Sequence, residues 1–374
     1  MKNNIHTLAI DASFIASGGA INHLVNLISH SDNSNKKFTR IIILAPRKVL
    51  LLIPNQPYII KNTNSFLNGP KIFKIIWCIF FMKKELVLNG VGLLYGLNGI
   101  NFSRFKYFVG LSQNLLPFVP GQISNHKKFP LTALKLIVIK RLQLSSYNKS
   151  SGYVFLTNYS QSIFNKFSLK SSTVIPHGIN PPFTYSHDSS DKNATHLVYV
   201  SPIDLYKNHA NVIQAVSLYN QNHKKKIVLH LVGGFGSGFK LALSVVRKFN
   251  MNSEVIFYGQ LLPADALRIL GKMNASIFAS SCESFPITIL ETIILKLPLL
   301  CSNVRPMTDI LGRNAVFFDP LCMDSIYKSL LSLNDIGALK NNVHGAYKTA
   351  LKYDWKIVSS HSFDYLYNIY KKVS

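Results

Sequence analysis

The chain has 374 residues, of which 48% are hydrophobic and 15% charged, and its formal net charge is +25. This length is too large for one ordinary core and fits two α/β domains of similar size. The apolar content excludes intrinsic disorder, and no uninterrupted apolar stretch reaches the ~20 residues that cross a bilayer. We therefore expect a globular protein that would meet a membrane only from its surface.

The basic residues are distributed unevenly along the chain. Residues 1–180 contain 21 Lys and Arg against three acidic residues, a net charge of +18, whereas residues 181–374 contain 20 against 13, a net charge of +7. Such a field attracts anionic surfaces, either lipid head groups or nucleic acid. Because the eight Arg are scattered and no RNA- or DNA-binding module is recognisable, we favour an anionic membrane surface and no nucleic acid.

Two apolar runs in the first half are bracketed by basic residues. The run at 75–82 has basic neighbours at Lys71, Lys74, Lys83 and Lys84. The run at 131–139 has basic neighbours at Lys127, Lys128, Lys135, Lys140 and Arg141. Apolar side chains entering the interface, with lysines at the head groups, would hold the protein on an anionic membrane. The alternative is that both runs are core-facing helices with solvated lysines.

The cysteines and the N-terminus indicate a cytosolic location. The four cysteines show no CxxC or Cys/His metal spacing, which is typical of reduced core cysteines. Asp11 interrupts the short apolar run near the N-terminus, so we do not expect an exported precursor.

The first half is predicted to form a parallel α/β sheet. A strand at 6–10 is followed by Ser17-Gly18-Gly19 and by apolar residues at helical spacing, from Ile21 to Ile28. Further strands are expected at 40–45, 107–111 and 153–156, a helix at 130–144, and a last strand with its exit turn at 173–178. Alternation of strands and helices favours a parallel sheet.

The second half alternates more regularly. Residues 181–195 are rich in Pro, Ser, Asp and Asn and read as a linker. Strands are then predicted at 196–200, 227–232, 255–258, 275–279, 299–301 and 316–318. Helices are predicted at 208–220, 263–270 and 286–296, with another that ends at 249. We therefore predict domains at 1–180 and 196–355 and a C-terminal helix at 356–374 that could pack back on the first domain, with a ligand cleft between two doubly wound domains.

Glu283 and Glu291 are the candidate ligand-binding residues of the second half. They are eight residues apart, and Pro286 suits the first turn of a helix, so Glu283 falls in the preceding loop and Glu291 on the second turn. A carboxylate on an otherwise apolar helix face needs a partner. Ribose hydroxyls could supply one, because an ionised carboxylate can accept two hydrogen bonds at once.

The residues around this pair resemble the donor-site signature of retaining GT-B enzymes in glycosyltransferase family four. The matching blocks are Glu283-x7-Glu291 with Phe285-Pro286, Leu297-Pro298, Cys301-Ser302-Asn303, Met307-Thr308-Asp309 and Phe318-Asp319-Pro320. Earlier blocks are Pro176-His177-Gly178, Tyr199-Val200-Ser201, Tyr206-Lys207-Asn208, Val232-Gly233-Gly234 and Phe257-Tyr258-Gly259. So many blocks in the same order make chance an insufficient explanation, and the likeness is to O-antigen and cell-surface polysaccharide transferases.

The resemblance implies a role for each site residue. Glu283 would contact hydroxyls of the donor sugar, Glu291 the ribose, and Lys207 the departing diphosphate. The helix start at Phe285, Pro286 and Ile287 would add amide donors and a positive dipole end. The remaining implied donor-site positions are Gly18, Gly19, Ser201, Gly233 and Gly259. No metal or other cofactor is implied, and the sequence has no Asp-x-Asp motif.

The sequence departs from the family pattern at two places. Pro202 stands where many members have an arginine five residues before the lysine, and Ser112-Gln113 stands where many have a histidine. An N-terminal base is therefore not assigned, and His23 and His126 stay open as candidates.

The expected activity is transfer of a sugar from a nucleoside-diphosphate sugar to a saccharide hydroxyl, with retention of configuration, in cell-surface polysaccharide synthesis. We expect the acceptor to be lipid-linked and the enzyme to lie on the inner face of the membrane. One alternative is a nucleotide-sugar epimerase, which would need more acid/base residues than the three acids of the first half supply. Another is a non-catalytic basic protein that binds nucleic acid or membranes.

Overall fold

A computed structural model of the chain describes residues 6–15, 18–31, 37–123, 130–167, 171–180 and 193–374. The chain divides into two compact units, Met1–Gly178 with Tyr353–Ser374, and Ile179–Lys352. We call these the first and the second unit. Most of the predicted linker, together with Ser17, His126, Lys127 and Lys128, lies outside the described residues.

In the part of the chain described, the first unit contains a seven-stranded parallel sheet in the order β3-β2-β1-β4-β5-β6-β7. Its strands are β1 (Thr7–Asp11), β2 (Arg40–Leu44), β3 (Ile59–Asn62), β4 (Leu93–Gly96), β5 (Phe108–Ser112), β6 (Gly152–Phe155) and β7 (Ser172–Val174). The accompanying helices are α1 (Gly19–Ser29), α2 (Arg47–Leu50), α3 (Ser65–Asn68), α4 (Lys71–Phe80), α5 (Met82–Leu88), α6 (Pro130–Lys149) and α7 (Asn158–Asn165).

Over residues 193–352, the second unit contains a six-stranded parallel sheet in the order β10-β9-β8-β11-β12-β13. Its strands are β8 (Ala194–Val200), β9 (Lys226–Val232), β10 (Val255–Gly259), β11 (Ala275–Phe278), β12 (Leu299–Ser302) and β13 (Val316–Phe318). Its α-helices are α8 (His209–Asn222), α9 (Phe239–Lys248), α10 (Pro263–Leu270), α11 (Ile287–Ile294), α12 (Met307–Leu311), α13 (Met323–Leu330) and α14 (Lys340–Ala350). Two 3-10 helices lie at Leu205–Lys207 and Leu331–Leu339.

The central strands are apolar because both faces of each sheet are covered. All five residues of β1 are buried, as are all four of β11. Parallel strands covered on both sides read as continuous apolar runs rather than as alternating patterns. This is why the sequence indicates strands such as β1, β5 and β11 to within about two residues, although it does not predict the central strand β4.

The last helix, α15 (Trp355–Val373), belongs to the first unit. Trp355 is 1% exposed, and the Ser359 hydroxyl donates to the Leu27 carbonyl at 2.8 Å. A Cβ on Gly178 would lie 2.6 Å from the Trp355 ring, so the chain can pass the indole only as glycine. The C-terminal helix thus completes the core that begins with α1.

Three of the predicted elements have different bounds in the structure. The helix expected at 286–296 is shorter, because α11 ends at Ile294 and Lys296 has a φ of +58°. Ala194 and Thr195, expected in the linker, are the first residues of β8. The helix expected at 130–144 continues to Lys149. Among the described helices, none is long and apolar enough to cross a membrane.

Candidate active site

The carboxyl ends of β8, β9 and β10 bring together Ser201, Gly233 and Gly259. The Ser201 amide donates to the Val232 carbonyl, and the Gly233 amide donates to the Gly259 carbonyl, each at 2.9 Å. Gly233 has a φ of +151°, and a Cβ there would lie 2.1 Å from the Ser201 carbonyl oxygen. Only glycine permits this approach of two strand ends. The three predicted donor-site positions therefore share one edge of the sheet, the edge where parallel α/β folds bind ligands.

Asp204 fixes the glycine-rich loop that follows β9. Its Oδ1 accepts from the Ser237 amide at 3.0 Å and from the Ser237 hydroxyl at 2.9 Å. The Gly238 amide donates to the Ile203 carbonyl at 2.8 Å, which joins the same two loops again. Sequence reasoning did not single out Asp204, because it lies 33 residues before Ser237 and meets it only in the folded chain.

Lys207 ends the 3-10 helix Leu205–Lys207 and is held there by its neighbours. Asn208 adopts the left-handed conformation, with a φ of 55°, and its side-chain amide donates to the carbonyls of Ala279 at 2.8 Å and Tyr206 at 3.1 Å. The Tyr199 hydroxyl donates to the Lys207 carbonyl at 2.8 Å. Asparagine tolerates the left-handed region better than most residues, so it suits this position.

Lys207 and Glu283 form an ion pair between the Nζ and Oε1 atoms. The lysine side chain is 8% exposed and the glutamate side chain 13%. The Lys207 Nζ lies 5.0 Å from the centroid of the Phe278 ring and 5.2 Å from that of Tyr206. A charge pair so far removed from water depends on both partners, because loss of one leaves the other charge uncompensated.

The loop that carries Glu283 is anchored on both sides. The Ser281 amide and hydroxyl donate to the Tyr206 carbonyl at 2.9 and 3.0 Å. The Ser302 hydroxyl donates to the Ser280 carbonyl at 2.7 Å. These bonds join the loop after β11 to the Lys207 segment and to the end of β12. The ion pair therefore rests on a fixed backbone.

Glu291 lies on α11, between the buried residues Leu290 and Thr292, and is itself half-buried. Burial raises the pKa of Glu291 to about 7. No hydrogen bond or ion pair joins its carboxylate to another of the described residues. A ligand that donated two hydroxyl hydrogen bonds would satisfy the carboxylate and favour its ionised form.

Phe285, Pro286 and Ile287 lie directly before and at the start of α11. Phe285 and Pro286 are buried, and the helix begins at Ile287 with Pro286 at the cap position, where the described structure shows no side-chain cap. The start of this helix is therefore a favourable place for an anionic group, which the partial positive charge of the helix end would attract.

His209 is a buried neighbour of the site that sequence reasoning missed. Its ring stacks on Tyr199 with centroids 4.3 Å apart, and its Nε2 lies 3.4 Å from the Ser201 hydroxyl. Burial, with a contribution from the charge of Lys207, lowers the pKa of His209 to about 3. His209 is therefore neutral near pH 7 and serves as a packing and hydrogen-bonding residue.

Gly18 and Gly19 belong to the first unit, while the other nine predicted site residues belong to the second. Gly18 has a φ of +68°, and a Cβ there would meet nothing within 4 Å. Gly19 is the first residue of α1. The demand at Gly18 is therefore for backbone conformation rather than for space.

His23, which the sequence left open as a base, is a core residue. It is 1% exposed, and its Nδ1 lies 2.9 Å from the Nδ1 of His177. Burial lowers the pKa of His23 to about 4, and its ring packs edge-on to Trp355. A side chain so enclosed serves the packing of the core, and the sequence had left its role unassigned. The other candidate, His126, lies outside the described residues.

Comparison with known proteins finds a family that matches the part of the chain that carries this site. Residues 186–343 match the family of glycosyl transferases group 1. The match covers 158 of the 374 residues of the chain. The matched segment contains all nine of the predicted site residues of the second unit, from Ser201 to Glu291.

A curated relative is the O-antigen chain mannosyltransferase B of Escherichia coli, which is 23% identical over 141 residues. The alignment spans 37% of this chain and 37% of the relative, so it covers little more than a third of either protein.

Solved structures match the chain over nearly its whole length. Sucrose-phosphate synthase from Thermosynechococcus elongatus has a TM-score of 0.78 at 13% identity, covering 98% of this chain and 100% of that one. WaaG, a glycosyltransferase involved in lipopolysaccharide biosynthesis, has a TM-score of 0.73 at 13% identity, covering 96% and 99%. HepE from Anabaena, solved with UDP and glucose, has a TM-score of 0.71 at 16% identity, covering 97% and 99%. At such identities the likeness shows the fold, and the chain has the GT-B fold predicted from its sequence.

Proposed function

We propose that this protein is a glycosyltransferase that moves a sugar from a nucleoside-diphosphate sugar to a hydroxyl of a saccharide acceptor. The observation that carries the proposal is the buried ion pair of Lys207 and Glu283 within the segment that matches the family of glycosyl transferases group 1. The pair holds a fixed cation at the ligand-binding edge of the sheet, where the diphosphate of a donor needs one.

Lys207 and Glu283 divide the chemistry between them. In the proposed complex the Lys207 ammonium contacts the diphosphate and stabilises the negative charge that develops as the sugar departs. Glu283 then accepts hydrogen bonds from hydroxyls of the donor sugar.

Glu291 is assigned to the ribose. Its half-buried carboxylate has the acceptor capacity for two hydroxyl groups and meets no donor among the described residues. Gly233 and Gly259 allow the nucleotide to approach the backbone closely, and the start of α11 adds a positive dipole end.

The finer features of the reaction follow the family resemblance of the sequence. We propose retention of anomeric configuration and independence of metal ions, with Lys207 supplying the charge that neutralises the diphosphate. Nucleotide-sugar epimerisation is the competing activity on the same architecture. An epimerase converts the sugar nucleotide without an acceptor, so the two functions give different products.

We further propose that the acceptor is a lipid-linked saccharide of cell-surface polysaccharide synthesis, with the enzyme peripheral to the inner face of the membrane. The named functions of the mannosyltransferase and of WaaG support this substrate class. The net charge of +18 on residues 1–180 supports an anionic membrane surface as a partner.

A nucleotide-sugar screen tests the proposal. A true donor must raise the melting temperature by mass action, and the donor that does so is then incubated with saccharide acceptors in the presence of a chelator. We expect a glycosylated product, with the anomeric configuration of the donor, whose formation survives chelation. A sugar nucleotide epimerised without acceptor, or no stabilisation by any nucleotide sugar, would contradict the proposal.

A further inference from the structure

The outward side of α4 and α5 exposes an unusual number of large apolar side chains. Phe80 is 70% exposed and Leu88 is 74% exposed. The full set within residues 71–88 is Ile72, Phe73, Ile79, Phe80, Phe81, Val87 and Leu88. Soluble proteins expose single apolar residues routinely, but a contiguous patch marks an interaction surface.

These exposed side chains are not needed to cover the core of the first unit, because other residues of the same helices cover that core. The inward residues are Lys74, Trp77, Cys78, Met82 and Leu86, all of them buried. Residues 71–88 therefore carry apolar side chains on both the inward and the outward side, and only the inward side packs on the protein. An exposed apolar side is costly in water and needs a different environment.

Lys74 is buried, which contradicts the sequence prediction that placed it at the lipid head groups. It is 9% exposed, and burial, together with the charges of Lys48 and Lys71, lowers its pKa. Lys74 thus faces the core side of α4. The exposed basic residues of the segment are Lys71, Lys83 and Lys84.

The charge of this surface is positive and nearly unopposed. The only acid in residues 71–88 is Glu85, whose Oε1 accepts from the Asn62 side-chain amide at 2.9 Å. The half of the chain that contains the segment carries +18. Apolar and aromatic side chains beside lysines are the composition of a surface that enters the interface of an anionic bilayer.

We propose that this surface docks the protein on an anionic lipid bilayer. We name it the α4–α5 face and define it by the seven exposed apolar residues given above with Lys71, Lys83 and Lys84. Three phenylalanines and four aliphatic side chains enter the boundary between head groups and acyl chains, while the three ammonium groups meet the lipid phosphates. Docking of this kind needs no donor sugar, so it stands or falls independently of the proposed glycosyl transfer.

The helix α6 carries a second set of exposed apolar residues, to which we assign a smaller role in membrane docking. Its exposed residues are Leu131, Leu134, Ile137 and Val138, and no aromatic residue is among them. Lys140, one of its predicted head-group contacts, lies 5.7 Å from the ring of Phe118 and 5.4 Å from that of Phe167, so it is engaged within the unit. Among the described residues, the α4–α5 face therefore exposes seven large apolar side chains against four on α6.

Vesicle co-sedimentation of the whole chain tests the proposal, with vesicles of phosphatidylcholine alone or mixed with phosphatidylglycerol. We expect binding only to the anionic vesicles, and we expect it to fall as salt rises. The variant Lys71→Gln, Lys83→Gln, Lys84→Gln should weaken binding on the order of 100-fold. The variant Phe80→Gln, Val87→Gln, Leu88→Gln should weaken binding to anionic vesicles even at low salt, because apolar insertion is lost.

Two matched variants in the second unit act as controls. Lys224→Gln, Lys225→Gln, Lys272→Gln removes the same charge from exposed positions, and Leu241→Gln, Leu262→Gln, Leu321→Gln removes three exposed leucines. Both controls should bind vesicles like the unaltered chain. Circular dichroism and thermal unfolding confirm that each variant is folded.

Four outcomes would overturn the proposal. These are equal binding to neutral vesicles, no binding at low salt, equal loss in the control variants, and loss only when Leu131, Leu134 and Lys135 on α6 are changed to Gln. Binding of nucleic acid that depends on the same three lysines and displaces the vesicles would assign the face to a different partner. Sugar transfer is not read in this assay, so failure of the proposed activity leaves the result interpretable.

Discussion

At the residue scale, the role proposed for the Lys207–Glu283 ion pair links catalysis to stability. Lys207→Ala should lower kcat on the order of 100-fold, because one electrostatic stabiliser of the departing diphosphate is lost. The same change leaves Glu283 without its cation, so the melting temperature should fall as well. Rates are therefore compared well below the melting temperature, with Lys272→Ala as an exposed-lysine control. A variant that keeps the full kcat would remove Lys207 from the mechanism.

The two glutamates should separate binding from turnover. Glu291→Ala should weaken the affinity for both donor and free nucleotide, because the ribose loses its acceptor. Glu283→Ala should lower turnover and leave the nucleotide affinity nearly intact, because its partners are the sugar and Lys207. Calorimetric titration with the nucleoside diphosphate, alongside steady-state rates, measures both effects. Equal loss of nucleotide affinity in the two variants would contradict this division.

The raised pKa of Glu291 predicts two opposite pH dependences. Burial places its pKa at about 7 against a usual 4.5, so the folded chain binds more protons than the unfolded chain between these values. The free energy of unfolding should therefore fall by up to about 3 kcal/mol as pH rises from 4.5 to 7. Nucleotide affinity should rise from pH 6 to 8, because ribose hydroxyls favour the ionised carboxylate.

Glu291→Gln provides the comparison for both pH dependences. Denaturant unfolding at several pH values should show the variant gaining stability over the unaltered chain as pH rises. Titrations with nucleotide should lose the part of the pH dependence that Glu291 supplies, while the part that belongs to the phosphate groups stays. Parallel pH profiles in the two proteins would show that Glu291 does not titrate in this range.

The sequence pointed to Lys207, Glu283 and Glu291, but not to the residues that position them. The glutamates were visible through their spacing and their apolar surroundings. Asn208 acts through the Ala279 carbonyl, 71 residues away, so its role exists only once β8 and β11 are neighbours. His209 and Asp204 are likewise defined by contacts across loops, which local patterns do not contain.

At the scale of elements, the glycine after β9 sets the spacing of the strand ends. Gly233→Ala would place a Cβ 2.1 Å from the Ser201 carbonyl oxygen at a φ of +151°, so we expect a loss of more than about 3 kcal/mol in stability. Gly312 has a φ of +58° and a ψ of −115° with nothing within 4 Å, so Gly312→Ala should carry the conformational cost alone, about 1–3 kcal/mol. Denaturant unfolding of the two variants measures the difference. Equal costs would mean that conformation alone, and not close approach, selects glycine at position 233.

The two strands that the sequence missed, β3 and β4, are only four residues long. The edge strand β3 is Ile-Ile-Lys-Asn with no fully buried residue, so it lacks the apolar run that marked the central strands. The strand β4 is buried but ends at Gly96, where a Cβ would lie 2.5 Å from the Phe108 ring. In the sequence, Gly96 suggests a turn. In the structure, the glycine leaves space for the Phe108 ring in the core.

At the scale of the whole molecule, the chain returns at its end to the unit in which it began. The composition predicts two domains, and the regular alternation of the second half predicts its sheet closely. The surface that α15 covers cannot be read from its own sequence. The amphipathic pattern gives a helix there, but only packing brings Trp355 to His23 and Gly178.

Trp355 should therefore stabilise the first unit far more than its neighbours on the same helix. Trp355→Ala removes a side chain that is 1% exposed and opens a large cavity, so we expect a loss of about 3–5 kcal/mol in the stability of the first unit. Ile357 lies two residues further on and is 50% exposed, so Ile357→Ala should change stability by less than about 0.5 kcal/mol. Nucleoside-diphosphate binding reports on the second unit and should persist in both variants at low temperature, because the proposed ribose and diphosphate contacts of that unit lie outside α15. Thermal unfolding with and without nucleotide measures these effects. It is monitored by the backbone circular dichroism signal, which does not rely on tryptophan. If the two substitutions cost the same, α15 contributes little to the core, and the first unit is complete without its C-terminal segment.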